Sequence, residues 1–181
     1  DAGLHLSLGG ESAAALLALA AAGRLGLLGR RRLAGRIEAQ VDAFERAMGR
    51  PPAFVDGHRH VHQLPGVRGA LLRVLRRRVG GDPPSVRNTV PLRPRGLKAR
   101  TVSAMGGPPL RRALREGAIP HNDDFAGVYD LSPASDYARL MLGWLADVAD
   151  GGLLVCHPGA EEGGGTVAHA AARLAELRFL R

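Results

Sequence analysis

The chain has 181 residues, with 25 Lys and Arg against 17 Asp and Glu for a net charge of +8 and a single cysteine, Cys156. That length suits one domain. One cysteine excludes an internal disulfide framework and a Cys-based zinc finger, and a reducing, cytoplasmic compartment is expected. Only Lys98 among the 25 cations is a lysine, the arginines are spread along the chain, and Phe, Trp and Tyr total seven, so nucleic acid is not expected as a partner. The Ala13 to Ala22 run is too short to span a bilayer.

Leu4, Leu6 and Leu8 alternate with His5 and Ser7, the period of a two-faced strand ended by Gly9 and Gly10. The sequence begins with Asp1 and reads as a strand almost at once, so a first strand is expected upstream. Ser12 caps an expected helix to Gly23; Gly26 to Gly29 and Arg30 to Arg32 read as loop. From Leu33 to Met48, Ile37, Val41, Phe44 and Met48 repeat at helical spacing, with Gly49 as the stop. Ala53 to Val55 reads as a buried strand delivering Asp56 to His62, and a helix is expected from Pro65 to about Val79 with Leu71, Leu72, Val74 and Leu75 inside. Ser85 to Val90 is an expected strand, 91–120 irregular with two short helical patterns, 133–150 helical, Gly152 to Cys156 a strand, and a helix closes the chain from Thr166. Strands alternating with helices imply parallel β/α units, whose functional residues lie at strand ends.

Three of the seven histidines fall within five residues after the Ala53 to Val55 strand. An extended Asp56 to His62 would turn Asp56, His58, His60 and His62 to one face. Neutral imidazoles bind metals, and a carboxylate can orient an imidazole through its other nitrogen. His5 is then a candidate second ligand from a neighbouring strand. Two imidazoles on one zinc would bring their nitrogens to roughly 3 to 3.5 Å. His157, after an apolar strand and before a Pro-Gly turn, is placed to act as an acid or base. Asp123 and Asp124 read as a solvated loop, Glu161 and Glu162 as an acidic loop able to act as a lid, and Cys156 as a small apolar residue.

Gly3-Leu4-His5-Leu6-Ser7-Leu8, Glu38 with Gln40 and Phe44, Val55-Asp56-Gly57-His58-Arg59-His60-Val61-His62 with Pro65, and Cys156-His157-Pro158-Gly159 together resemble the YdjC-like carbohydrate deacetylases. Phe125 to Tyr129 resembles the branch associated with hopanoid lipid biosynthesis. The resemblance implies an α/β fold, an irregular TIM-like (β/α) barrel over residues 1–181 as one domain, incomplete at its N-terminus. It also implies removal of acetyl from an N-acetylated sugar, a chitooligosaccharide or an N-acetylglucosaminyl glycolipid, with a divalent cation, magnesium or alternatively zinc. His5 and His58 would be metal ligands and His157 catalytic. The family's Asp-Asp-Phe-Gly type motif, which supplies a further ligand and a base, is expected before residue 1, and without it the chain is expected to be inactive. Asp123-Asp124-Phe125-Ala126 mimics that motif in the wrong part of the chain.

Chemistry and resemblance together place His157 as the acid or as a stabiliser of the tetrahedral oxyanion, with His60 or His62 as the alternative, and Asp56 behind a ligand imidazole. His62 and Arg87 are expected at the substrate, and a homodimer is expected. A metal-dependent phosphoesterase, which also uses His-x-His at a strand end, and an inactive or basic binding module are the rival readings.

Overall fold

A computed structural model describes residues 1–9, 12–78, 83–132, 134–160 and 167–181. The elements run β1 (Leu4–Leu6), α1 (Ala13–Arg24), α2 (Arg30–Met48), β2 (Phe54–Gly57), a 3-10 segment (His58–Gln63), α3 (Val67–Arg78) and β3 (Ser85–Val86). They continue with α4 (Gly96–Ala104), α5 (Gly107–Glu116), β4 (Phe125–Ala126), α6 (Tyr137–Asp147), β5 (Leu153–Leu154) and α7 (Val167–Phe179). The fold is α/β, with parallel strands and no closed barrel among the described residues. The residues group into two compact units, Asp1–Asn88 with Val102–Asn122, and Thr89–Thr101 with Asp123–Arg181. Among the described residues no helix is long and apolar enough to cross a membrane.

In the first unit β1, β2 and β3 form a parallel sheet in that order. The alternation read from the sequence is present: Leu4, Leu6 and Leu8 are buried while His5 and Ser7 are exposed. Ser7 lies beyond β1, and its N–H and carbonyl are met by the Gln40 side chain, at 2.9 and 2.8 Å, in place of a neighbouring strand. Ser12 caps α1 by accepting from the Ala15 N–H, and Gly49 ends α2 in the left-handed region with φ 64°. The expected loop at Arg30 to Arg32 is instead the first turn of α2, since straight-chain arginines propagate a helix as well as most residues do. Ile37 and Val41 of α2 and Leu71, Val74 and Leu75 of α3 are buried with Leu6, Val55 and Val86 of the sheet. Arg78 ties α3 to α2 through Asp42 and Glu45.

In the second unit β4 pairs with β5 in parallel, Phe125 with Leu153 and Ala126 with Leu154. Tyr129, Tyr137, Trp144 and Phe179 bring four of the chain's seven aromatic rings together, with centroids 5.7 to 6.2 Å apart. Asp124, read from sequence as part of a solvated loop, is wholly buried here. The proposed lid residues Glu161 and Glu162 lie outside the described residues.

Candidate metal-ligand and catalytic site

Parallel pairing of β1 with β2 sets His5 directly beside Asp56. Paired residues of neighbouring strands project to the same face, so the register alone brings an imidazole against a carboxylate. His5 Nδ1 donates to Asp56 Oδ1 at 2.6 Å, and the His5 side chain is 56% exposed against 16% for Asp56. That bond fixes the tautomer and leaves His5 Nε2 as a lone-pair donor. His5 Nε2 lies 3.4 Å from His58 Nδ1, with the rings edge to face. With a lone pair on His5 Nε2, a His58 ring protonated at Nδ1 can donate across this gap. With a cation bound, both lone pairs can address it, and the separation falls within the range for two ligands of one ion.

The one-face reading of Asp56 to His62 does not hold, because the strand ends at Gly57. Arg59 and His60 then take left-handed conformations, with φ 47° and 62°. Such non-glycine residues cost roughly 1 to 3 kcal/mol each and persist where their surroundings fix them. The reversal sends His58 towards His5 and turns His62 into the core. A side chain at position 57 would collide with His62, whose Nδ1 lies 2.8 Å from where its Cβ would sit, so glycine is required for the turn to close.

Arg87 supplies that fixed surrounding. Expected at the substrate, it is 8% exposed, and its guanidinium is engaged by protein groups. Its Nη1 pairs with Asp56 Oδ2 at 2.7 Å, and its Nη2 donates to the Gly57 carbonyl at 2.9 Å and to His60 Nδ1 at 3.2 Å. A neutral His60 ring therefore carries its proton on Nε2. His62, also expected at the substrate, is fully buried and donates from Nε2 to the Arg87 carbonyl at 2.9 Å. Burial first, then the Arg87 charge, pushes its pKa down to about 3, so it is a neutral structural imidazole near neutral pH. Burial raises the pKa of Asp56, but the His5 hydrogen bond and the Arg87 charge outweigh it and hold the carboxyl below its ordinary value.

His157 lies in the second unit, just after β5, and its residue is exposed. Its backbone N–H donates to Glu176 of α7, whose other oxygen accepts from the Tyr129 hydroxyl at 2.7 Å. The Gly159 N–H bonds the Arg173 carbonyl at 3.2 Å, so α7 holds the Cys156 to Gly159 loop at both ends. Cys156 is half-buried, and burial and the Glu176 charge raise its thiol pKa, in keeping with an unreactive residue. Sequence reasoning missed Glu176. The available signal was its place four residues after Ala172, on the buried face of the last helix.

The family model described as YdjC-like protein matches residues 1–181. A Mus musculus protein named carbohydrate deacetylase is 58% identical over 31 residues, which are 17% of this chain and 10% of that protein's length. No solved structure matches the chain. With its G-L-H-L strand set against the D-G-H turn, this chain belongs to the YdjC-like family.

Proposed function

We propose that the protein is a divalent-cation-dependent hydrolase that removes the acetyl group from an N-acetylated sugar, either a chitooligosaccharide or an N-acetylglucosaminyl glycolipid. The observation that carries this reading is the 3.4 Å approach of His5 Nε2 to His58 Nδ1, with Asp56 fixing the His5 tautomer. Membership of the YdjC-like family and the name of the mouse protein support the sugar amide as substrate. An irregular barrel belongs to the same proposal, supported by the parallel β/α order; a single-domain homodimer follows the family resemblance, and a cytoplasmic location the single cysteine.

His5 and His58 are the residues that would hold the cation. Among the described residues no group of three or more His, Cys, Asp or Glu side chains gathers to hold one, so these two imidazoles are the contribution proposed for this chain. Paired imidazoles suit zinc better than magnesium, which prefers oxygen. When bound, such a cation supplies Lewis acidity towards a water and the acetyl carbonyl. Asp56 orients His5, and Arg87 holds Asp56 ionised and in place. The acid role proposed for His157, protonation of the departing amine nitrogen, rests on its C-H-P-G motif and on the anchoring of that loop by Glu176. His60 is the alternative donor, a role that needs its imidazolium form, with Nδ1 protonated and the bond from Arg87 given up.

The test is to titrate the protein and its His58→Ala and His5→Ala variants with zinc and magnesium, and to measure acetate released from N-acetylglucosamine oligomers. Loss of an interaction worth about 2.7 kcal/mol corresponds to about a hundredfold, and a loss of at least that size in cation affinity is expected for each variant. Cation affinity left unchanged in both His58→Ala and His5→Ala would refute the site, whether or not acetate is released.

A further inference from the structure

A cavity of about 340 Å³ lies in the first unit, between the connection of α1 to α2 and the start of α3. It is within the size range of small-molecule sites. Arg30, Arg68 and Arg73 line it, with Leu28 and Leu33 as apolar wall and Gly69 among the lining residues. No carboxylate is among its described lining residues, and among the described residues none of the three arginines forms an ion pair. Arg68 is half-buried, its Nη1 donating to the Gln63 carbonyl at 3.2 Å, and burial lowers its pKa.

Three unneutralised guanidiniums around one hollow repel one another. Arg30 and Arg68 also occupy the first turns of α2 and α3, which contain no acidic residue. The N-terminal end of a helix carries partial positive charge, so cations there sit at the unfavourable pole and an anion at the favourable one. An anion inside the cavity would reverse both penalties. Guanidinium forks match phosphate oxygens two at a time, and several of them suit a doubly charged group better than a single carboxylate. Leu28 and Leu33 add a wall for a carbon body.

We propose that this cavity binds a phosphate monoester carried on a small organic body, as a site separate from the His5 and His58 pair.

Calorimetric titration of the protein at constant ionic strength with phenyl phosphate, benzoate and phenol tests this. Phenyl phosphate should bind, and benzoate and phenol should bind at least about tenfold more weakly, the loss of one charge-assisted hydrogen bond. Arg73→Gln and Arg30→Gln should each weaken phenyl phosphate about tenfold by the same loss. Arg77→Gln, an equal change of charge on the exposed side of α3 and outside the lining, should leave it unchanged. A Cβ at Gly69, one of the lining residues, meets nothing within 4 Å, so Gly69→Leu adds bulk at the cavity wall without a Cβ collision, and should weaken binding while the circular dichroism stays native. Absence of phenyl phosphate binding at millimolar concentration, benzoate of equal affinity, an equal loss in Arg77→Gln, or full binding in Gly69→Leu would each overturn the proposal.

Discussion

Each unit contains a buried arginine facing an aspartate, and the two pairs use the same chemistry differently. In the second unit Asp124 is consumed by its surroundings. Its Oδ1 accepts from Arg95 at 2.6 Å and from the Leu92 and Phe125 N–H groups at 2.8 and 2.7 Å, and its Oδ2 accepts from Arg95 at 2.8 Å and Ala149 at 3.1 Å. In the first unit Asp56 gives Arg87 one oxygen and gives the other to an exposed imidazole. Burial raises both carboxyl pKa values, and the bonds to each outweigh it and hold both low. The difference lies in what the second oxygen touches. A carboxylate saturated by backbone and arginine can only hold a fold together, whereas one with an oxygen on an exposed histidine also sets which nitrogen that histidine presents.

The comparison is broken most forcefully at Asp124. Asp124→Ala leaves Arg95 paired with Asp147 alone and takes the acceptor from three backbone N–H groups, at about 1 kcal/mol or more for each, so a loss of about 3 kcal/mol is expected. Urea unfolding should show that loss, and a cost under about 1 kcal/mol, the size of an exposed ion pair, would contradict the assignment of Asp124 to the fold. Asp56→Asn keeps the shape but removes the charge that orders His5. Its expected signature is a fall in cation affinity of about 10 to 100-fold, the usual effect of losing a group that orients a metal-binding histidine. The calorimetric titration that reads His58→Ala reads this too. If Asp56→Asn loses stability as heavily as Asp124→Ala while its cation affinity stays intact, the two aspartates do the same job and the contrast fails.

Much of the first pair was legible in the sequence, and little of the second. Leu4, Leu6 and Leu8 announce β1 because one-face burial imposes period two, and that period leaves His5 outside. The Asp56 to His62 run is conspicuous in type but misleading in shape, since alternation looks the same whether the chain extends or turns; what decides is Gly57 and the pull of His62 onto Arg87. Arg87 and His62 looked like substrate contacts because polarity alone does not show whether a partner waits inside the core. Asp124 was unreadable for the same reason: Arg95, Leu92 and Ala149 reach it across 25 to 32 residues of sequence. β4 and β5 are two residues each, too short for any periodicity to register.

His62 gives the finest test of how the first pair is held, because its ring is bonded to the backbone of the arginine that pins Asp56. Its pKa is about 3 in the folded chain against an ordinary 6.5, so between those values the unfolded chain binds a proton that the folded chain refuses. Stability from this group is therefore fully present above pH 6.5 and is lost as pH falls towards 3, at a limiting slope of about 1.4 kcal/mol per pH unit. Carboxylates such as Asp56 and Asp124 lose their contribution in the same direction, but only as pH falls through and below about 4. Unfolding free energy measured from pH 6.5 to 4.5 should consequently decline in the wild-type protein and be nearly level in His62→Gln. Equal slopes in the two would show that His62 accepts its proton without unfolding, and that its ring is not held neutral in the core by burial against Arg87.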